Sequence, residues 1–120
     1  MKFYFNGKLI RTSANHEYTH AVINMDNEEL IGCRSSEKSA HQLLDSEISQ
    51  FRTGIKNCNI AIKALNAGKR YYVVKIGRRS CPIYFQKTDT VQGFEDWIAT
   101  CERNIEYIKN NYKVVELERR

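Results

Sequence analysis

Residues 37–68 read EKSAHQLLDSEISQFRTGIKNCNIAIKALNAG, and this stretch decides the fold. Its apolar residues Leu44, Ile48, Phe51, Ile55, Cys58, Ile62 and Leu65 are spaced alternately by four and three. That spacing keeps them on one face of a helix. Ser35-Ser36 offers an N-cap in front of it, because a hydroxyl can accept from the free amides of the first turn. Gly68 stands where a helix ends in a left-handed residue. The spacing therefore predicts one helix from about Glu37 to Asn66. A helix of about 30 residues spans roughly 45 Å. A compact chain of 120 residues has a radius of gyration of only about 14 Å. The helix is expected to overhang its own domain or to be covered by another chain.

On either side of the helix the periodicity changes to two. MKFYFNGKLIRTS opens the chain as a hairpin, with Asn6-Gly7 as its turn pair. Tyr18–Asn24 and 29–34 read as two further strands that turn at Asp26-Asn27. After the helix, YYVVKI and CPIYF are strands joined through Gly77-Arg78-Arg79-Ser80. Pro82 has no amide to donate, so its strand lies at an edge or starts late. Asp89, with Gln92 three residues on, marks the start of a second helix. That helix carries Phe94, Ile98, Cys101, Ile105, Ile108 and Tyr112 as its stripe. KVVELE closes the chain as a short strand or a frayed tail. The order ββββ-α-ββ-α predicts a single α+β domain over residues 1–120, with an antiparallel sheet of about six strands and two long helices. Both stripes can pack on each other and on the sheet, and can also serve oligomer contacts.

The net charge of +5 is concentrated in one place. KRYYVVKIGRRSCPIYFQK, residues 69–87, holds Lys69, Arg70, Lys75, Arg78, Arg79 and Lys87 and no acidic residue. Tyr71, Tyr72, Tyr84 and Phe85 are interleaved with them. Such basicity protects strand edges from aggregation, or it receives an anionic, flat partner. Arginine matches phosphate through a planar fork of donors, and aromatic rings stack on bases. Tyr84 and Phe85 point to opposite faces of their strand, so one of the two can face a ligand.

A second donor-rich stretch is LIRTSANHEYTHA, residues 9–21. Arg11, Thr12, His16 and His20 read there as a ligand edge or as a solvated turn and sheet face. In a strand, His16 and His20 share a face about 13 Å apart, which is too far for one metal ion. Arg103 and Tyr107, four apart on the second helix, share a face away from its apolar stripe. They serve a neighbouring pocket or form an ordinary solvated pair. The candidate ligand-binding residues are therefore Arg11, Thr12, His16, His20, Arg78, Arg79, Phe85, Arg103 and Tyr107.

The residues bearing on catalysis point away from an enzyme. The chain has no nucleophile motif, no phosphate-cradling glycine loop and no paired-carboxylate arrangement. No metal and no cofactor is expected. Cys33, Cys58, Cys81 and Cys101 are far apart and read as small hydrophobes of a reducing compartment. The opening residues carry no signal-peptide core, and no run of about 18 apolar residues suggests a membrane span. A cytoplasmic location is the expectation.

The size, the opening MKFYFNGKLIRTS followed by HEYTHAVIN, the long helix and the second helix together resemble the phage Thoeris anti-defence proteins of the small sponge type. Those proteins sequester cyclic ADP-ribose signalling molecules. The likeness is one of layout over most of the chain, and it carries no family binding residue onto a position here. It implies a homo-oligomer without catalysis that holds a cyclic nucleotide between protomers in the infected host cell. Some members are similarly expected to hold cyclic oligonucleotides. From the residues alone, a small phage nucleic-acid-binding protein with a basic aromatic sheet surface is the alternative. An inhibitor that meets a host protein through its helices is a third reading.

Overall fold

The computed structural model describes residues 1–120. The strands are β1 (Lys2–Phe5), β2 (Lys8–Thr12), β3 (His20–Asn24), β4 (Glu29–Arg34), β5 (Tyr71–Ile76), β6 (Arg79–Tyr84), β7 (Tyr112–Glu116) and β8 (Glu118–Arg119). The helices are α1 (Glu37–Asn66) and α2 (Val91–Asn111). The fold is α+β, in the order expected. Its strands form three small antiparallel sheets, in the orders β2-β1-β8, β4-β3-β7 and β5-β6. The single sheet of about six strands is thereby corrected. The C-terminal segment supplies a third strand twice, with β7 beside β3 and β8 beside β1. β5 and β6 pair only with each other. No helix is long and apolar enough to cross a membrane.

The chain forms two compact units, Met1–Ser49 with Glu106–Arg120, and Gln50–Ile105. In the first unit, Phe3, Ala21, Ile23, Cys33 and Leu117 form a buried cluster. Phe5, Ile10, Tyr18, Leu30 and Val115 pack around it. Removing these apolar side chains from water is the main source of the unit's stability. Asn6 and Gly7 both take positive φ, of 50° and 78°, as the two-residue turn between β1 and β2 requires. Asn24 is the one buried polar side chain. Its Nδ2 donates to the Tyr107 hydroxyl at 3.1 Å, and that hydroxyl donates to Asp26 Oδ2 at 2.8 Å.

The helix termini follow local chemistry. Ser39 N–H donates to Ser36 Oγ at 3.1 Å, which caps α1. Gly68, at φ 73°, closes it, and Lys69 N–H reaches back to the Ala64 carbonyl at 3.0 Å. The start of α2 differs from expectation. Thr90 is the cap, accepting from Gly93 N–H at 3.0 Å. The Asp89 carboxylate turns back to accept from Gln86 N–H at 2.8 Å, and Gln92 donates to Asp96. The end of α2 differs too. Tyr112 leaves the helical stripe and begins β7, because Tyr112–Glu116 completes its ladder against β3.

Candidate functional site

The second unit contains a β-hairpin with one face left open. A two-residue turn, Gly77-Arg78, joins β5 to β6, and Gly77 has a φ of 64°. The register sets Ile76 opposite Arg79, Val73 opposite Pro82 and Tyr71 opposite Tyr84. Side chains alternate between faces along a strand. Tyr71, Val73, Pro82 and Tyr84 therefore share one face, and Tyr72, Val74, Cys81 and Ile83 share the other. Val74 is buried at 4 % exposure, whereas Tyr71 is 45 % and Tyr84 67 % exposed. Phe85, just beyond β6, packs with Tyr72 and Phe94, at ring centroid distances of 5.1 and 6.2 Å.

The Tyr71 and Tyr84 rings lie 5.4 Å apart at 44°. They open onto a groove of about 860 Å³ between the hairpin and the last turns of α1. Ile60, Lys63, Ala64 and Ala67 supply its helical wall. Lys69 and Arg70, on the segment that leads from Gly68 into β5, supply its end. No carboxylate lines it. The Lys and Arg side chains found in ion pairs are Lys8, Arg119 and Arg120, and the three groove cations are not among them. Cations at the end of α1 also complement its dipole, equivalent to roughly half a negative charge. Three full charges exceed that, and the groove is left electropositive. An exposed ring pair beside uncompensated cations can stack a planar group and pair an anionic one.

A second recess, of about 530 Å³, lies on the far side of Tyr72. It is bounded by Gly54 and Asn57 of α1, by Asp89, and by Gly93 and Trp97 of α2. Burial raises the Tyr72 hydroxyl pKa above its ordinary value, and the nearby Asp89 and Cys58 push it the same way. It remains a neutral donor at physiological pH.

The nine sequence-derived candidates divide between the two units. In the first, the Arg11 guanidinium stands 5.7 Å from the centre of the Tyr18 ring, and His16 stacks on that ring at 5.7 Å. These three are brought together. Thr12 lies exposed at the end of β2 opposite Lys2. His20 Nδ1 is 2.7 Å from Thr19 Oγ1. Tyr107 is engaged by Asn24 and Asp26, as described above. In the second unit, Arg78 and Arg79 stand at the turn of the hairpin, about 17 Å along the strands from the Tyr71–Tyr84 pair. Phe85 sits in the aromatic cluster, and Arg103 donates to Thr100 Oγ1 at 3.1 Å.

The groove residues Lys63, Lys69, Arg70, Tyr71 and Tyr84 were not among those candidates. Four of them lie within the basic aromatic segment already singled out. Placing the two-residue turn at Gly77-Arg78 would have aligned Tyr71 with Tyr84 by register alone. No local signal assigns Lys63, which belongs to the groove through the packing of α1. In comparisons with protein-family models, with curated proteins and with solved structures, nothing matches the chain.

Proposed function

We propose that this protein binds a cyclic nucleotide signal of the cyclic ADP-ribose kind and holds it without turning it over. It would thereby act as a phage anti-defence sponge in the host cytoplasm. The observation that carries the reading is the exposed Tyr71–Tyr84 pair beside Lys63, Lys69 and Arg70, with no carboxylate in the groove. Such a ligand combines a flat base with a pyrophosphate, and these residue types complement both. The groove's size suits a small-molecule ligand, whose pockets are typically about 300–1,000 Å³. Sequestration needs tight binding; a nanomolar Kd corresponds to about −12 kcal/mol. A second copy of the chain closing over the open groove would exclude water and strengthen the charge-assisted bonds. Assembly into a homo-oligomer is part of the proposal.

Calorimetric titration with cyclic ADP-ribose isomers tests it, with AMP and a short single-stranded oligonucleotide as controls. Saturable uptake of one cyclic species, recovered chemically unchanged after heating, is the expected outcome. Absence of uptake for every cyclic species rejects the reading.

A single-stranded nucleic acid is the second reading, favoured by the openness of the same ring pair to solvent. It requires a steep salt dependence, because each neutralised phosphate releases counterion. A compact ligand with two phosphates gives a shallow one.

A further inference from the structure

The two recesses that meet at Tyr72 differ in chemistry. The first is walled by three cations and no acid. The second has no cation in its lining, and its one charged side chain is Asp89. A phosphate is therefore disfavoured in the second recess. A flat, neutral group that can donate a hydrogen bond is favoured.

Three features give that recess a built character. Trp97, half exposed, presents an indole face with no packing partner among the aromatic contacts of the chain. Asp89 uses Oδ2 to accept from Gln86 N–H, which leaves Oδ1 as an acceptor. Asn57 adds an amide that both donates and accepts. Gly54 lets α1 and α2 approach closely beside the recess. A Cβ at Gly54 would come 3.3 Å from Cys101 Sγ and 3.7 Å from Trp97 Nε1.

We infer that the recess bounded by Asn57, Tyr72, Asp89 and Trp97 is a nucleobase site that prefers a purine with an exocyclic amine. The base stacks on Trp97, its amine donates to the Asp89 carboxylate, and Asn57 meets its ring edge. Stacking combined with hydrogen bonds to a base edge is how proteins read unpaired bases. The site does not depend on phosphate binding in the neighbouring groove, and its ligand can be a free nucleoside.

Trp97 is the only tryptophan of the chain, so its emission reports on this recess alone. The full-length protein is titrated with adenosine and with inosine, which carries a carbonyl in place of the amine. Neither bears a phosphate, so the outcome is separate from that for the cationic groove. Adenosine is expected to quench the emission saturably and to bind about tenfold more tightly than inosine, whose carbonyl would face a carboxylate. In Asp89→Asn the carboxamide can donate to that carbonyl, and the preference is expected to shrink or reverse. Asn keeps an acceptor for Gln86 N–H. Should that variant fail to fold, Asn57→Ala on the same recess is expected to weaken adenosine by about tenfold. The inference is overturned by quenching that never saturates, by equal affinity for the two nucleosides, by an unchanged preference in a folded Asp89→Asn, or by an unchanged affinity in Asn57→Ala.

Discussion

Tyr71 and Tyr84 face each other directly across the β5–β6 hairpin, with ring centroids 5.4 Å apart, and remain 45 % and 67 % exposed. A cross-strand aromatic pair contributes only about 0.2–1 kcal/mol to a sheet. Two large rings left exposed at that separation carry a cost in exposed apolar surface that is offset when something covers them.

Tyr84→Ala tests that use of the pair. The variant is expected to lose about 1–3 kcal/mol of nucleotide affinity, the worth of one stacked base. Its melting temperature should fall only slightly. Calorimetry and thermal melting on the same sample separate the two. A large stability loss with unaltered affinity would make the pair purely structural.

Phe85→Ala should behave in the opposite way. Its ring packs with Tyr72 and Phe94, so truncation leaves a void. A loss of about 2–3 kcal/mol, below the range for a fully buried Phe, is expected in urea unfolding.

Thr90→Ala removes the acceptor of Gly93 N–H at the start of α2. A loss of about 1 kcal/mol is expected. Asp89→Ala should cost less in the same denaturant titration, since Asp89 does not cap the helix. If the two effects are reversed, the cap is misassigned.

Tyr107→Phe deletes the hydroxyl that links Asn24 to Asp26. Asn24 is 3 % exposed, so its amide is left buried without that partner. Destabilisation of about 1–3 kcal/mol follows. Double-mutant analysis with Asn24→Ala should show strong non-additivity.

Stability should decline on the alkaline side. Burial raises the thiol pKa of Cys33, Cys58 and Cys101 above the ordinary 9.0, and the hydroxyl pKa of Tyr72 and Tyr112 above 10.0. For Cys58 the neighbouring Cys101 adds to the shift, while for Cys33 nearby Arg11 and Arg34 partly oppose it. In each case the unfolded chain gives up its proton first. Above the unfolded value it binds fewer protons than the folded chain, so stability falls as pH rises. The decline begins near pH 9.0 with the thiols and continues through the tyrosine range. It levels off once the folded groups ionise too. Urea midpoints measured across that window should drop steadily; a rise would contradict the burial of these groups.

Local chemistry was legible in the residues themselves. The four-and-three spacing, Ser36 and Gly68 give α1 the bounds Glu37–Asn66, and Asn6-Gly7 makes the first turn. Each depends on partners a few positions away, so neighbouring residues suffice to define it. The basic aromatic segment was legible for the same reason, as a composition. Tertiary structure decided what lies across long separations. Tyr112 could extend the helical stripe of α2, yet the open edge of β3 draws Tyr112–Glu116 into a strand, because unpaired backbone groups there find their partners. Which ring of the neighbours Tyr84 and Phe85 is exposed depends on which face of the hairpin packs. Lys63 joins the groove only because the last turns of α1 form one of its walls. Register and periodicity narrow such choices, and burial against distant residues makes them.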